Sequence, residues 1–515
     1  MKANKNRTRV ITGATAAILG MALIGLISCS SGDSSSGTVA PGGSAGLSGP
    51  MVFVNNTGDK SLTSVALKGD SGNAVVGTIP NTEFEGVSLG DMQFSEGNWL
   101  FLNITGINAL SQPIHKVATV DPLTNALPVH EVNLTTGTRP VHLYRDTTDG
   151  EHLWSMNDGD NTPGATLGDD LINCGLQTGG SVTILHNSHL GPGATPPFVI
   201  KTECLLADGH KVAAFSAPTT TNPNTPKRVF ISSTTAGEIA VIDNDPANLA
   251  TYQKLIARID LCTNAGEALN AQVPCDVNTN LADTPNTPNK SNPHGIRFSK
   301  HTGMVYSIQE NYDTIVEIDP LALAITKTFD LTGTPYTSFG ISPDGRFLLL
   351  RGDATPATGT KLGVIDLGTA RTPRTDFTIP ELDGTSPGSF KFSPDGKRFY
   401  ILAGNAAATT KKDRLFAFDA STLTATPPAL TLIKEIQLIP GGDSVGFSAA
   451  HSLDVLAQGA GEAKYIVVSN KADNSLSIIN ATDNVIKQTV QVGLTPGAVL
   501  IYYPGAGAAG NQASS

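Results

Sequence analysis

Three of the ten histidines stand at comparable places in the sequence and could bind a metal ion together. His142 occurs in the sequence RPVH, His210 in DGH and His294 in NPHG, and an apolar run follows each of them. Three neutral imidazoles that leave one coordination position open suit copper, zinc or iron. The alternative is that these side chains form hydrogen bonds between neighbouring strands and bind no metal.

A second group of candidate ligands consists of aspartates in one segment of the chain. They are Asp146, Asp149, Asp158, Asp160, Asp169 and Asp170. The sequence NDGDN at 157–161 resembles a fragment of a calcium-binding loop, but the glutamate expected at loop position twelve is missing. Calcium binding and a solvated acidic turn both fit this pattern, and we expect the solvated turn.

Four cysteines could form disulfide bonds if the chain is exported, namely Cys174, Cys204, Cys262 and Cys275. An even number allows three connectivities, and the local choice is Cys174–Cys204 with Cys262–Cys275. The sequence contains neither CxxC nor CxxCH, so zinc-ribbon and c-type haem sites have no support. The cofactor is therefore open, with copper or another transition metal as the hypothesis.

The N-terminal segment predicts export. It begins with the basic residues Lys2, Lys5, Arg7 and Arg9, followed by an apolar run that ends near Ile27. The sequence LISC at 26–29 resembles the bacterial lipobox, which implies a signal peptide at 1–28 and a lipidated Cys29. The next residue is Ser30 rather than aspartate, which resembles sorting to the outer membrane, facing either the periplasm or the cell surface.

Composition narrows the choice of partners. The formal net charge is −11, and removal of the basic signal segment makes the rest of the chain more acidic, which disfavours nucleic acid as a partner. Residues 29–50 are rich in serine and glycine and predict a flexible tether, and 504–515 predict a similar tail. We expect an envelope or extracellular protein partner, and a membrane contact through the lipid.

The elements that must position these residues are short β-strands. Four apolar runs separated by turn residues fill Lys464–Tyr503, a pattern typical of meandering antiparallel sheets. The unit recurs along the chain, and 51–503 predict one all-β propeller of four-stranded antiparallel blades. The repeats begin at Gly90–Phe94, Pro140–Tyr144, His210–Phe215, Pro293–Phe298, Ser338–Ile341, Ser389–Phe392, Ser444–Phe447 and Gly497–Tyr502.

The strand count at the two ends predicts a closed ring. Three strands at the N-terminus, Met51–Asn55, Leu62–Leu67 and Ala74–Ile79, have no inner strand before them, and Gly497–Tyr502 begins a repeat that is never completed. Together they make one blade, and pairing removes the exposed sheet edges. The count is eight blades, or seven if the repeat at Gly90 has been misread.

In such a ring the three histidines begin the innermost strands of three consecutive blades and surround one mouth of the channel. Their register differs, because His142 lies two residues after its proline and His294 lies one. In a regular strand this offset turns a side chain to the opposite face.

Several motifs resemble a known family. Tyr465–Asn470, Ser475–Ile479, Val490–Gly493 and the Pro-Asp-Gly turns resemble YVTN-type β-propeller repeats of bacterial surface proteins. More distantly, the chain is similar to the propellers of nitrous oxide reductase and of the haem d nitrite reductase. The Pro-His-Gly motif resembles channel-lining histidine motifs of nitrous oxide reductase, but its histidine-pair motif and cupredoxin domain are missing here.

These resemblances imply a fold and leave the function open, because propellers host binding, scaffolding, lyase, lactonase and redox roles. The first hypothesis is a lipid-anchored binding or scaffold protein of the bacterial envelope. The alternative is a metal-binding redox protein or enzyme that uses the three histidines and serves respiration. Whether the protein is an enzyme, and on what substrate, is not decided by the sequence.

The lipobox leads to the first testable prediction. Replacement Cys29→Ala removes the thiol that would receive the diacylglycerol, and an acyl anchor is needed for stable membrane attachment. We expect the variant to accumulate as an unprocessed precursor and to leave the detergent phase on partitioning. Ser35→Ala in the predicted tether is the control and should be processed normally. Normal processing and detergent partitioning of the Cys29→Ala variant would contradict the prediction.

Overall fold

The described part of the chain forms eight four-stranded antiparallel sheets, the blades of one β-propeller. The computed structural model describes residues 49–503 except 123–127, 160–179, 187–188, 193–194, 206–208, 263–288, 335, 353–361, 369–372, 384, 405–412 and 439–449. Short 3-10 helices occur within these residues at Glu310–Tyr312, Pro380–Leu382 and Ser421–Thr424. None of the helices described is long and apolar enough to cross a membrane.

Each blade contributes one strand to each of four concentric layers. The innermost strands, in blades 1 to 8, are β32 (Pro496–Tyr502), β4 (Ser88–Phe94), β8 (Pro140–Arg145), β12 (Lys211–Ser216), β16 (Pro293–Phe298), β20 (Tyr336–Ile341), β24 (Ser386–Phe392) and β28 (Ala450–Gln458). The second strands are β1 (Met51–Asn56), β5 (Leu100–Ile107), β9 (Leu153–Asn157), β13 (Arg228–Ser233), β17 (Val305–Gln309), β21 (Phe347–Gly352), β25 (Arg398–Gly404) and β29 (Glu462–Asn470). The third strands are β2 (Ser61–Ala66), β6 (Pro113–Asp121), β10 (Ser181–His186), β14 (Glu238–Asp243), β18 (Thr314–Asp319), β22 (Leu362–Asp366), β26 (Asp413–Asp419) and β30 (Ser475–Asn480). The outermost strands are β3 (Ala74–Ile79), β7 (Val129–Thr135), β11 (Phe198–Cys204), β15 (Leu255–Asp260), β19 (Ala324–Asp330), β23 (Thr375–Phe377), β27 (Thr431–Gln437) and β31 (Val485–Gln491).

Burial follows these layers and explains the sequence patterns. Every residue of β14 is buried, because neighbouring blades cover both faces of the middle strands. Such strands carry nearly continuous apolar runs rather than alternation. In β19, on the perimeter, only Phe329 is buried and the other residues are exposed or half-buried. The polar outer strands therefore mark the rim of the molecule.

The hydrophobic cores lie between blades rather than within them. Val54 and Val65 of blade 1 pack in one cluster with Val467 and Leu476 of blade 8. Burial of each such side chain is worth about 1.5–3 kcal/mol, and it is available only when both blades are present. A single blade has no core of its own, so the ring is the folding unit.

The first and last strands of the fold close the ring, as the strand count predicts. β1 pairs antiparallel with β32, with Met51 opposite Tyr502 and Val54 opposite Val499. The resulting sheet has the order β3-β2-β1-β32. Eight blades with a closing sheet built from both ends are confirmed, and the alternative of seven blades is wrong.

One predicted strand position needs correction. The sequence places the opening of blade 8 at Ser444–Phe447, but the innermost strand of that blade is β28, which begins at Ala450. In β28, Leu453 lies opposite Val468 and is buried in the cluster that blade 8 shares with blade 7, so the buried apolar residues of this strand lie further along the chain than predicted. Ser444–Phe447 lies outside the described residues, as do the predicted signal peptide, most of the tether and the tail.

The closing sheet gives a direct stability test. Deletion of residues 494–515 removes β32, including the buried Val499, Leu500, Ile501 and Tyr502, and leaves β1 with an open edge. The deletion forfeits several buried apolar side chains at about 1.5–3 kcal/mol each. We expect a protein that unfolds at a much lower temperature or does not fold. Deletion of 504–515 alone is the control, and equal melting temperatures for the two deletions would contradict closure by β32.

Candidate functional site

The three predicted histidines lie at one mouth of the channel, as their position in the repeats predicts. His142 is the third residue of β8, His210 directly precedes β12, and His294 is the second residue of β16. These strands are the innermost strands of blades 3, 4 and 5. Each histidine thus stands near the start of its strand, where innermost strands of consecutive blades reach the same end of the channel.

The three imidazole rings form a contiguous row. The Nε2 atoms of His142 and His210 are 3.1 Å apart, and the two ring centroids are separated by 4.8 Å. The ring centroids of His210 and His294 are 5.2 Å apart. His210 is therefore the central member, and the rings of blades 3 and 5 both contact it.

Bulges in the innermost strands remove the register problem. The pairing of β8 with β9 shifts between Pro140 and His142, and that of β16 with β17 shifts between Pro293 and Ile296. A bulge inserts an extra residue and redirects the side chains that follow it. Gly295 lies in the second bulge with φ of 137°, a backbone conformation that favours glycine. The different offsets from proline therefore still bring His142 and His294 to the same row.

Each imidazole has a carboxylate beside its Nδ1 atom. The Nδ1 atom of His294 lies 3.0 Å from Oε1 of Glu310, a hydrogen bond of ordinary length. His142 faces Asp91 and His210 faces Asp158, both at 3.4 Å, which is a longer contact of the same kind. A carboxylate on one ring nitrogen is the arrangement that orients histidines in metal sites. We call these six residues the histidine mouth.

The carboxylates are themselves held in place by the chain. Asp91 accepts a hydrogen bond from the backbone N–H of Leu143 at 3.1 Å, and Asp158 accepts one from that of Lys211 at 3.2 Å. In both cases the acceptor and the donor belong to neighbouring blades. The stacking of the blades therefore fixes the positions of these two carboxylates. The carboxylates in turn orient the imidazoles.

These contacts determine which nitrogen of each imidazole ring keeps a lone pair that could bind a metal ion. A carboxylate beside Nδ1 favours the proton on that atom, which leaves the lone pair on Nε2. Two lone pairs 3.1 Å apart would repel, so the contact between His142 and His210 requires a proton or a metal ion between the two Nε2 atoms. On a tetrahedral ion with bonds of 2.0–2.1 Å, two such atoms would lie about 3.4 Å apart.

Burial and neighbouring charged groups change the pKa of His210, the central ring of the row. The pKa of His210 is lowered from its ordinary value of 6.5, first by burial, and also by the nearby His142 and His294; Asp158 opposes the shift. A lowered pKa keeps the imidazole neutral at physiological pH, which is the form that binds metal ions. The side chains become more exposed from His142 (15%) through His210 (28%) to His294 (40%), so the row is accessible from solvent.

A further group of side chains that could hold a metal ion lies at the other end of β8. Ligand atoms of Asp146, Asp149 and His152 lie within 4.8 Å of one another, and so do those of Glu151, His152 and His186. We call these five residues the lower cluster. They come from the β8–β9 turn and from the end of β10, which explains why no spacing in the sequence indicates them.

The lower cluster is already well supplied with protein hydrogen bonds. Asp146 accepts bonds from Thr148 at 2.6 and 2.7 Å and from Asn244 at 2.7 Å, and its pKa is raised by burial and by Asp149. His152 bonds Asp149 at 3.2 Å and stacks on His186. The cluster could hold an ion, yet the observed bonds already occupy the carboxylates of Asp146 and Asp149.

The expectation of a solvated acidic turn is wrong for two of its aspartates. Asp146 and Asp158 are buried, with 1% and 4% of their surface exposed, because one joins the lower cluster and the other supports His210. The two residues lie at opposite ends of the blade. Asp160, Asp169 and Asp170 lie outside the described residues, so for these three the expectation of a solvated turn, with calcium binding as the alternative, stays a prediction.

The cysteine predictions are only partly covered by the described residues. Cys204 ends β11 and Cys262 follows β15, and both take part in disulfide bonds. Cys174 and Cys275 lie outside the described residues, so the pairing Cys174–Cys204 with Cys262–Cys275 stays a prediction. The same holds for the lipidation of Cys29.

Sequence reasoning missed the supporting carboxylates. Asp91 belongs to blade 2, and Glu310 lies in the 3-10 helix after β17, so neither stands near its histidine in the chain. Asp158 was noted, but as part of a calcium-like loop. The stacking of blades brings Asp91 and Asp158 to their imidazoles, whereas Glu310 reaches His294 across the β16–β17 pair of the same blade.

Comparisons with solved structures agree with the fold. No protein-family model matches the chain, and no curated protein matches it in sequence. Citrobacter koseri AztD is similar with a TM-score of 0.50 and 11% identity, over 88% of this chain and 98% of that one. The dihydro-heme d1 dehydrogenase NirN in complex with DHE has a TM-score of 0.50 and 13% identity, over 87% and 74% of the two chains. The Pseudomonas aeruginosa periplasmic gluconolactonase PpgL has a TM-score of 0.45 and 12% identity, over 88% and 98%.

Identities this low establish likeness in fold alone. The eight four-stranded sheets, joined in a closed ring, place the chain in the class of eight-bladed β-propellers, and the two likenesses with a TM-score of 0.50 agree with that fold. The function has to be argued from the channel and its side chains.

The lowered pKa of His210 makes a prediction about pH. The unfolded chain binds a proton at His210 near pH 6.5 while the folded chain does not, so folding stability falls as the pH drops through and below that value. We expect the metal-free variant His210→Asn to lose less stability than wild type between pH 7 and pH 5 in urea unfolding. The exposed His301→Asn is the control. Identical pH profiles for His210→Asn and wild type would contradict the prediction.

Proposed function

We propose that the protein is a metal-binding propeller whose histidine mouth holds one transition-metal ion. The observation that carries this proposal is the 3.1 Å contact between the Nε2 atoms of His142 and His210. Both rings have carboxylates at Nδ1, so both lone pairs point at the same place. An ion bound there replaces a repulsive contact by two coordination bonds.

His294 is the third donor of the proposal, and its ring would have to turn toward the ion on binding, because the ligand atoms of the three histidines do not all lie within 4.8 Å of one another. Its ring neighbours that of His210, and Glu310 occupies its Nδ1 atom, so its Nε2 atom is the one available for coordination. Imidazole donors suit zinc, copper, iron and nickel, and three of them leave a fourth position open to water or another ligand. The proposal therefore names a transition metal with an open position.

The three histidines and the three carboxylates would have different roles in binding the ion. His142, His210 and His294 would donate their Nε2 lone pairs, whereas Asp91, Asp158 and Glu310 would hold the Nδ1 protons and orient the rings. The negative charges of the carboxylates would also offset the positive charge of the ion, which burial in the mouth disfavours. The bound ion could act as a Lewis acid, exchange electrons or be passed on as cargo, and the exposed side of His294 gives access for each.

Metal binding is preferred here to a purely structural scaffold because the mouth brings two imidazole nitrogens to 3.1 Å and supports each ring with a carboxylate, an arrangement suited to a metal ion as well as to a shared proton. Export and attachment through Cys29 remain part of the proposal and are supported by the N-terminal sequence. An envelope location would expose the mouth to metal ions and partners outside the cytoplasm.

Metal analysis of the full chain tests the proposal. We expect about one ion of copper, zinc or iron per chain after purification from metal-supplemented cells. His210→Ala should remove it, and Glu310→Gln should weaken it about 10- to 100-fold, the usual effect of losing a carboxylate that supports a ligating histidine. His301→Ala is the control and should retain the ion.

Two results with variants, and one with the wild type, would overturn the proposal. One is a full complement of metal in the His142→Ala and His210→Ala variants, because coordination would then not involve their rings. The other is loss of the ion on His152→Ala alone, which would assign it to the lower cluster. A wild-type protein that binds none of the three metals when each is added in excess also rejects it, and a shared proton then explains the short contact.

A further inference from the structure

A cavity of about 850 Å³ lies at the end of the channel opposite the histidine mouth. It is lined where innermost strands end, by Phe215 of β12, Phe298 of β16, Ile341 of β20 and Phe392 of β24. The turns that follow β12, β16 and β20 complete its rim. Clefts of 300–1,000 Å³ are the size that small organic ligands occupy.

One cation in the wall of this cavity is buried without a counter-ion. Arg297 is only 7% exposed, and its Nη1 atom donates to the carbonyl of Ile296 at 2.8 Å. Among the described residues no carboxylate forms an ion pair with it; the titratable group that acts on its pKa is the phenol of Tyr144, which is uncharged at neutral pH because burial raises its own pKa. Its other N–H groups have no protein acceptor in that part of the chain.

Burial of such a cation is costly unless something compensates it. Burial lowers the pKa of Arg297, but a guanidinium stays protonated in proteins, so the charge cannot be lost. Buried charges are otherwise paired or hydrogen-bonded. A planar fork of donors that faces a cavity without an acidic partner is suited to a carboxylate or another oxyanion.

The remaining charges of the cavity support an anion. Lys391 lines it and forms an ion pair with Asp454, whose oxygens also accept the backbone N–H groups of Val455 and Ile501. Lys300 lines the outer rim. Asp344 is the one acidic residue among those that line the cavity, and it is exposed and accepts bonds from Ser342 and Arg346.

The rest of the wall is apolar and largely aromatic. Phe215, Phe298, Phe390 and Phe392 contribute rings, and Ile341 and Val455 contribute aliphatic surface. Gly340 leaves the space that the ring of Phe390 fills, because a Cβ atom there would lie 2.3 Å from that ring. An inorganic anion would leave these rings in contact with water, whereas an organic acid would cover them.

We propose that this cavity binds a small organic carboxylate with a flat apolar body, whose carboxylate pairs with the guanidinium of Arg297 and whose body packs against the phenylalanine rings. The site shares no residue with the histidine mouth, so the proposal stands without the metal centre. The two ends of the channel would then bind ligands of opposite charge, a cation among the histidines and an anion beside Arg297.

Binding of benzoate to the full chain tests the proposal, with neutral benzamide and inorganic phosphate as comparison probes. We expect wild type to bind benzoate at least tenfold more tightly than benzamide or phosphate in calorimetric titrations. Arg297→Gln should remove the preference for benzoate over benzamide, and Arg297→Lys should retain part of it. Lys434→Gln, which removes an exposed charge from β27, is the charge-matched control and should bind as wild type does.

A second measurement does not depend on the folding of a variant. Phenylglyoxal modifies arginine side chains, and mass spectrometry locates the modified residues. We expect benzoate to slow modification of Arg297 in wild type and to leave that of Arg139 unchanged. Equal benzoate and benzamide affinities in wild type, or no protection of Arg297, would overturn the proposal. Phosphate binding as tight as that of benzoate would overturn the assignment to an organic acid.

Discussion

The pairing of β1 with β32 is the constraint on which the rest of the structure depends. Without it, blade 1 would lack its innermost strand, and the apolar clusters that join blade 1 to blades 8 and 2 would each lose part of one wall. Since each core lies between two blades, the ring stabilises itself only when every interface is present. Closure also fixes the innermost strands around the axis, and therefore places every side chain that faces the channel.

Carboxylates that bridge neighbouring blades extend this order to the functional residues. Asp91 in β4 accepts the backbone N–H of Leu143 in β8, and Asp454 in β28 accepts that of Ile501 in β32. Both aspartates lie in an innermost strand and bond the innermost strand of the next blade. Asp91 additionally faces His142, so the same carboxylate that joins two blades orients a candidate ligand. The site is thus built from the interblade contacts of the fold.

The channel differs in chemistry from one end to the other. His142 and Tyr144 are two residues apart in β8, and their rings are 6.0 Å apart. Burial raises the pKa of Tyr144 above its ordinary value, and the guanidinium of Arg297 opposes that shift, so the tyrosine is affected by the cation near the opposite end of the channel. The lone pairs at one mouth and the cation at the other would favour ligands of opposite charge.

Much of the fold is determined locally and could be predicted from the sequence. Apolar runs of about five residues, divided by turn residues, define the strands, and the unpaired strands at the two ends define the closure and the count of eight blades. The position of His142, His210 and His294 at the start of their strands follows from the same repeat. These features depend on short stretches of chain, so the sequence expresses them directly.

Only the tertiary structure decided how those histidines meet and what surrounds them. Bulges at His142 and His294 correct a register that alternation alone would assign to opposite faces. Asp91 and Glu310 reach the rings from other strands and turns, and Arg297 loses its solvent because neighbouring blades cover it. These outcomes depend on contacts between residues that lie far apart in the chain, most of them in neighbouring blades. A local sequence pattern does not indicate which distant residues will meet.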